Sequence, residues 1–413
     1  MDQEIEFHDG VQERELLRRL RAGGAIRFSV ARELPSDWLG ALIEGIDRTL
    51  LIPVSIENAI LVGDIRLFHA IFESSFALVN CQVQGRADFT FSTFKRDARF
   101  KKTRFEKPPT LSGMRAEHDF EIDGAVFPDG SVLNDLKVNE TLSATRAEFG
   151  ACDLGRIEVR KFVDFTSARF GGKLTFEDGR ISGDAKFHGA QFAEADFHGL
   201  TTGGSLLFTP AGAPPLAVRF AGPANFYQVK VGKDANFYGA TFERSAIFAS
   251  CEVGGSTVFV GAQFGGTDRE IAVFADAVLS RDANFGPDTT VTPPKPVRFG
   301  GDSWFDSVRI LGNANFLQAE FGAQARFHMA RVGGQAQFSK AVFSERVLIS
   351  STQASERLRA FPARISAARH PLDDSRSVRA SSSVRVTREY PFDTAPRVIA
   401  RPDKSDKPRR PRA

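Results

Sequence analysis

The large apolar residues of this chain recur at alternating intervals of five and six residues. The longest run without exception consists of Phe305, Ile310, Phe316, Phe321, Phe327, Val332, Phe338, Phe343 and Ile349. The same rule operates from Ile56 to Phe105 and from Phe220 to Phe264. An amphipathic helix repeats every three or four residues and a strand every two, so neither fits. The spacing predicts a chain that turns a corner after every short unit.

A small residue stands two positions before most of these large residues, as Ala235 does before Phe237 and Ala314 before Phe316. In an extended segment, residues two apart point the same way, so the small and the large residue face inward together. The chain has 39 Phe against 3 Tyr and 2 Trp, which indicates a dry core of stacked rings. The expected core includes Phe89, Phe100, Phe187, Phe237, Phe259, Phe316, Phe327 and Phe338.

These units resemble those of the pentapeptide-repeat family. Residues 235–242 read Ala-Asn-Phe-Tyr-Gly-Ala-Thr-Phe and residues 314–321 read Ala-Asn-Phe-Leu-Gln-Ala-Glu-Phe. The resemblance covers about residues 56–349 and implies an all-β fold, a right-handed, quadrilateral, parallel β-helix solenoid. The sixth residue in every other unit departs from the family pattern and implies 22 residues per coil. A pectate-lyase-like β-helix is the alternative, although its irregular coils lack the small-x-large rule.

The repeated span defines the middle of three predicted regions, residues 56–350. It holds about 13 coils, or about 12 without the insertions, and forms a rod about 55 to 60 Å long at roughly 4.8 Å per coil. One such coil cannot fold alone, whereas a stack of them can.

Residues 1–55 are predicted to form a small helical cap. Leu16, Leu17 and Leu20 have helical spacing, and Ser36 with Asp37 can cap a second helix that runs to about Leu50. Such a cap would cover the open edge of the first coil.

Residues 351–413 are predicted to form a disordered tail. They hold 13 Arg and 2 Lys against 7 acidic residues, a net charge of +8, and they are rich in Pro and Ser. The first 350 residues then carry a net charge of −5. So sharp a change of composition would also fit an altered reading frame.

The cysteines are predicted to be structural. Cys81, Cys152 and Cys251 each precede a ladder residue by two, so they occupy the small inward slot. Reactive thiols need an exposed electropositive setting, which this slot does not offer. Three widely spaced cysteines also cannot form a disulfide framework, which favours a cytoplasmic protein.

The sequence predicts neither a leader nor a membrane span. The N-terminus lacks a basic start and an apolar segment, so no signal peptide is expected. The longest apolar stretch, around residues 50–61, is interrupted by Pro53, Glu57 and Asn58. It falls short of the roughly 20 residues that span a bilayer.

Three insertions interrupt the ladder, and counting sides from Ile56 as side one predicts their positions. If Thr202 is a ladder residue and one residue is deleted before Phe197, Phe208 and Phe285 both fall on side one, three coils apart. Insertions 209–219 and 286–298 then leave one corner, and 265–271 leaves the adjacent corner from a coil between them. Clustered insertions on a solenoid often form its binding face, and the alternative is that they are tolerated surface loops, which is the commoner case. The candidate partner-binding residues are Pro214, Pro215, Asp268, Arg269, Pro294 and Lys295.

The sequence offers no catalytic, metal-binding or cofactor-binding motif. There is no Gly-x-Ser-x-Gly, no phosphate-binding loop and no His-Glu-x-x-His. His188, His198 and His328 each follow a ladder Phe and are expected to face solvent. No two of them share a side of neighbouring coils, so no metal site and no enzyme is predicted.

Two outward-facing columns stand out. Asn284, Asn315 and Gln337 should stack on one side as a structural amide ladder. Another side should be mixed with a basic tendency; its outward residues include Arg180, Lys230, Glu252, Val278, Arg309 and Arg331.

These features favour a non-catalytic interaction scaffold for an unidentified protein partner, and a solenoid end also offers a surface for a homodimer. Some members of the resembled family bind topoisomerases by imitating DNA, but that requires long acidic surfaces, which this chain lacks. A nucleic-acid or anionic-membrane tether through the basic tail is another alternative. An enzyme would need an acidic cluster on one side, which the side count does not provide.

Overall fold

The computed structural model describes residues 24–36, 48–265 and 270–349, together with residues 18, 19, 22 and 39 and two short strands beyond residue 349. These residues form a parallel β-solenoid with four strands per turn. Ladder residues 22 positions apart come into register, as Phe72 does with Phe94. The sheet of side four contains 14 strands, which corresponds to about 13 turns.

The strands are short because each one spans a single side of the coil. Four longer strands cross a corner: on sides one and two Ile26–Pro35 and Val54–Val62, and on sides two and three Arg169–Thr175 and Gln191–Asp196. Side one continues with Phe76–Val79, Ala98–Arg99, Phe120–Glu121, Leu142–Ser143, Val163–Asp164, Ala185–Lys186, Leu206–Leu207, Ala235–Asn236, Thr257–Val258, Ala283–Asn284, Ala314–Asn315 and Ala336–Gln337. Side two continues with Gln82–Val83, Arg104–Phe105, Val126–Phe127, Glu148–Phe149, Arg219–Phe220, Thr241–Phe242, Gln263–Phe264, Arg298–Phe299, Glu320–Phe321, Val342–Phe343 and Arg364–Ile365.

The other two sides follow the same plan. Side three comprises Ile65–Arg66, Ala87–Asp88, Ser131–Val132, Cys152–Asp153, Ala224–Asn225, Ala246–Ile247, Ile271–Val273, Asp302–Trp304, Ala325–Arg326 and Val347–Leu348. Side four comprises Thr49–Leu50, Ile71–Phe72, Thr93–Phe94, Arg115–Ala116, Lys137–Val138, Glu158–Val159, Arg180–Ile181, Thr201–Thr202, Lys230–Val231, Glu252–Val253, Val278–Leu279, Arg309–Ile310, Arg331–Val332 and Gln353–Ala354.

The β-pairing extends beyond both predicted ends of the rod. Ile26–Pro35 pairs in parallel with Val54–Val62, which places a strand where the sequence predicted only a helical cap. Gln353–Ala354 and Arg364–Ile365 pair with strands one turn earlier. Residues 18, 19 and 39 are helical, but most of the two predicted cap helices and the rest of the tail lie outside the described residues.

Phenylalanine rings stack in columns along the inside of three sides. On side two the column runs from Phe105 to Phe343, with neighbouring ring centroids between 4.6 and 5.2 Å apart. Rings on the opposite sides one and three meet edge to face across the core, as Phe305 and Phe316 do at 5.4 Å and 87°. Burial of each ring contributes about 1.5 to 3 kcal/mol, and the ring pairs add to it.

The predicted core is confirmed with one correction. Seven of the eight named rings are buried: Phe89, Phe100, Phe187, Phe237, Phe259, Phe316 and Phe327. Phe338 is only partly buried, because it is the last ring of the side-one column in the described part of the chain.

The five-residue intervals correspond to tight turns with a left-handed residue. The amide of the small residue donates to the carbonyl of the preceding ladder residue, as from Ala319 to Phe316 at 3.1 Å. The residue between them, two after the ladder residue, has a positive φ, as at Gln318 (φ 56°). This is the geometry of a type II turn, which favours Gly or Asn at that position. Gly124 and Asn80 occupy equivalent positions.

At several of the six-residue corners a carboxylate side chain links successive turns. Asp234 Oδ1 accepts a hydrogen bond from the amide of Ser256, one turn later, at 2.8 Å. The same bond recurs at the other six-residue corner, from the amide of Gln324 to Asp302 Oδ1 at 3.1 Å. The carboxylate lies so close to the chain that a Cβ atom at Gly255 would be 2.2 Å from Asp234 Oδ1. The extra residue of a six-residue interval therefore provides space for a side chain that accepts a hydrogen bond from the next turn.

Replacing one stacked ring should destabilise the solenoid according to its burial. Phe316→Ala removes a fully packed ring and should lower the free energy of unfolding by about 3 to 5 kcal/mol. Phe338→Ala, in the same column but partly exposed, should cost clearly less. Urea unfolding of both variants tests this, and equal losses would contradict the burial argument.

Gly255→Ala should destabilise the protein because the new methyl group would collide with Asp234 and with the backbone of Lys233. We expect a loss of about 1 to 3 kcal/mol, which is typical of overpacking. Gly171→Ala is the matched control, since a Cβ there would meet only Phe149 O at 3.6 Å. Both variants can be compared by thermal unfolding. If Gly171→Ala loses as much stability as Gly255→Ala, the close approach of the Asp234 carboxylate is not the cause.

Candidate interaction surface

The insertions 209–219 and 286–298, here named the first and second prong, leave the same corner three turns apart. The side-one register runs from Leu207 to Asn236, then to Val258, then to Asn284. Thr202 is a buried ladder residue that pairs with Ile181. The side count made from the sequence is therefore confirmed, and both prongs project between sides one and two.

Each prong is a miniature hairpin closed by one antiparallel bridge. In the first prong, Ala211 and Leu216 exchange backbone hydrogen bonds of 3.0 and 2.7 Å. In the second, Asp288 and Lys295 do so at 2.7 and 2.9 Å. The tip residues predicted as partner contacts are all exposed: Pro214, Pro215, Pro294 and Lys295.

The third insertion, 265–271, leaves the next corner, and its last two residues are anchored to the turn below. Glu270 accepts hydrogen bonds from Ser245 Oγ at 2.8 Å and Arg244 Nη1 at 3.1 Å. Burial favours the neutral acid, but these hydrogen bonds outweigh it and lower the pKa of Glu270. The other candidates in this insertion, Asp268 and Arg269, lie outside the described residues.

A glutamine latch holds each prong at its base, and sequence reasoning missed both. Gln191 Nε2 donates to Ala217 O at 2.8 Å, and Gln263 Nε2 donates to Pro296 O at 2.9 Å. Two residues before each glutamine, a left-handed glycine leaves room for the prong above it. A Cβ at Gly261 would lie 2.8 Å from Asp288 Cβ.

The two prongs are duplicates in sequence as well as in structure. Residues 214–220 read Pro-Pro-Leu-Ala-Val-Arg-Phe and residues 293–299 read Pro-Pro-Lys-Pro-Val-Arg-Phe. The turn below each prong carries Gly-Ala-Gln-Phe, at residues 189–192 and 261–264. This double match is the sequence signal that would have revealed the latches.

A tyrosine on an intervening turn supports the second prong. Tyr238 Oη donates to Asp288 Oδ2 at 2.8 Å, and Thr290 Oγ1 donates to Asp288 Oδ1 at 2.6 Å. Burial disfavours the charged form, but the hydrogen bonds from Thr290 and Tyr238 lower the pKa of Asp288. The carboxylate is therefore an internal acceptor of the prong rather than a free surface charge.

The three histidines do not come together. His188 was expected to face solvent but is half-buried, because Thr209 at the start of the first prong lies over it, with 2.7 Å between His188 Nδ1 and Thr209 Oγ1. Burial lowers the pKa of His188. His198 lies beside Tyr227, at 5.4 Å between ring centroids.

The outward columns lie where the sequence placed them. Asn284 pairs with Asn315 and Asn315 with Gln337, and Asn315 Nδ2 donates to Asn284 Oδ1 at 2.9 Å. On side four, Lys230 is paired with Glu252 at 3.0 Å. Arg309 and Arg331 lie in register on adjacent turns.

All three cysteines are buried and unpaired, as predicted. Burial raises the pKa of the Cys81 thiol to about 11 and that of Cys251 to about 12, and it also raises the pKa of Cys152. The Cys251 thiol donates to Phe226 O at 2.9 Å. These thiols remain protonated near neutral pH, which makes them poor nucleophiles.

Within the described ranges, no three His, Cys, Asp or Glu side chains are grouped so that they could hold a metal ion. No helix in the described part of the chain is long and apolar enough to cross a membrane. No protein-family model matches the sequence, and no curated protein matches it significantly.

Native protein should react slowly with a thiol reagent, because all three thiols are buried and their pKa values are raised. Ellman's reagent at pH 8 should label the native protein far more slowly than the urea-unfolded protein. Rapid labelling of native protein that is lost in Cys251→Ala would contradict the structural role.

Proposed function

We propose that this protein is a non-catalytic interaction scaffold that presents the edge bearing its three insertions to a protein partner. The observation that carries the proposal is the placement of two anchored prongs on one corner of an otherwise regular coil. Insertions are dispensable for stacking, since the register of Gln191 with Arg219 and of Gln263 with Arg298 is kept across them. Exposed loops on a rigid frame are common binding elements.

The proposal includes a structural class. The strict ladder, the small inward slot and the four strands per turn support a pentapeptide-repeat type of solenoid, wound right-handed as most parallel crossovers are. The three buried, unpaired cysteines are compatible with a cytoplasmic site of action.

Replacing each insertion by a short Gly-containing turn tests the edge. The shortened turns keep Val218 and Val297, which are buried in the core, so we expect the melting temperature to stay nearly unchanged while binding of the native partner weakens. A matched control is Met329→Ser, an exposed position on the corner between sides three and four. If all three replacements bind that partner as well as the parent protein does, the edge is not the binding site.

A further inference from the structure

We propose, building on the scaffold function above, that the two prongs form a bidentate docking edge. Its partner would be one protein with two equivalent, aromatic-lined pockets that are related by a translation. The inference rests on three features of the prongs: their equivalence, their separation and the chemistry of their tips.

The prongs are held in equivalent orientations by equivalent contacts. Both leave the corner three residues before their closing bridge, and both return to an arginine in register with the latch glutamine, Arg219 with Gln191 and Arg298 with Gln263. A shared register and a shared latch fix the direction of each prong relative to the coil. The base of the second prong therefore repeats that of the first by a shift along the solenoid axis, while its loop between the bridge residues is longer, six residues (289–294) against four (212–215).

The shift is set by three turns of the side-one column. Its ring centroids, from Phe208 through Phe237 and Phe259 to Phe285, step by 5.0, 4.8 and 5.1 Å. The bases of the prongs are thus about 15 Å apart along the axis. Two prongs pointing the same way match a partner with tandem or repeated sites. A two-fold symmetric dimer would present its sites in opposite directions.

The tips are mostly apolar. Each carries a Pro-Pro pair and an exposed aliphatic side chain, Leu216 at 47% exposure in the first prong and Val291 at 43% in the second. The residue that follows the Pro-Pro pair is Leu216 in the first prong and the exposed Lys295 in the second. Charges near the base are engaged within the fold: Arg219 pairs with Glu243 at 2.5 Å, and Asp288 is bonded to Tyr238. Exposed proline rings and aliphatic side chains are buried most readily in pockets lined with apolar and aromatic side chains, which defines the pocket chemistry expected of the partner.

Two weak contacts on one rigid frame bind more tightly than either alone. The second contact forms at a high effective concentration, and linkage of this kind raises affinity by about 100-fold to 10,000-fold. If the edge is bidentate, removal of one prong should weaken binding of the partner at the other prong. If the two loops bind independently, it should not.

Site-specific photo-cross-linking tests the proposal in the full-length protein. Benzoylphenylalanine is placed singly at Leu216, at Val291 or at Met329, the last a control with a matching exposure of 45% on the corner between sides three and four. After irradiation in an extract of the encoding organism, both prong positions should give an adduct with the same protein, and Met329 should not. The cross-linked partner peptides should come from two copies of one aromatic-lined pocket.

A second experiment tests whether partner binding at one prong depends on the other prong. With residues 289–294 replaced by a two-residue turn, the adduct yield at Leu216 should fall about ten-fold or more, and the reciprocal shortening of the first prong should do the same at Val291. Undiminished yields, different proteins at the two tips or charged pockets in the partner would overturn the bidentate proposal and leave the scaffold proposal standing. No adduct above the Met329 level at either tip would overturn both. Adducts of the purified protein with itself would identify a second copy as the occupant instead.

Discussion

The rest of the structure depends on parallel, in-register pairing between successive turns. This pairing places each residue directly over its counterpart one turn away, at a spacing of about 4.8 Å, so like side chains stack on like. Aromatic rings suit that spacing, and neighbouring Phe rings within a column stack in nearly parallel planes, with interplanar angles such as 2° between Phe285 and Phe316. The same register stacks the outward amides of Asn284 and Asn315. A turn that is one residue shorter is absorbed at a corner, as between Phe149 and Phe170, which are 21 positions apart and still stack at 5.0 Å.

Much of the fold could be predicted because in-register stacking requires inward apolar residues at regular intervals, and these intervals are visible in the sequence. The sides of Phe208 and Phe285 were assigned correctly from counting alone, and so were the buried slots of the cysteines. The reason for the sixth residue could not be read in this way. It depends on a hydrogen bond between a side chain and a backbone amide one turn away, as between Asp234 and Ser256, and such a bond leaves no periodic apolar signal.

The candidate surface was less predictable, because its geometry depends on contacts that no period records. Counting placed the prongs on one corner, but it gave no indication of the latches of Gln191 and Gln263 or of the support that Tyr238 gives to Asp288. The half-burial of His188 follows from Thr209, which belongs to an insertion whose path the ladder rule leaves undefined. A search for duplicated segments, rather than for single motifs, would have found the Pro-Pro and Gly-Ala-Gln-Phe matches.

The width of the coil also limits the ladder itself. In the turns that carry the prongs, sides one, two and three each contribute a ring, as Phe208, Phe220 and Phe226 do. Phe226 meets the other two rings edge to face at 5.6 and 5.8 Å, and Phe208 and Phe220 are tilted by 54° at 5.6 Å. The fourth side then holds a smaller residue such as Val231 or Thr202. Where side four carries a ring, as at Phe72, the same turn has Leu61 and Leu67 on its other sides. Four successive ladder rings occur once in the described ranges, at Phe89, Phe94, Phe100 and Phe105, and the side-four residue one turn after Phe94 is Ala116. Where three rings occupy sides one, two and three, the fourth side holds a smaller residue, so Thr202 stands at a position that the rings of Phe187, Phe192 and Phe197 leave small.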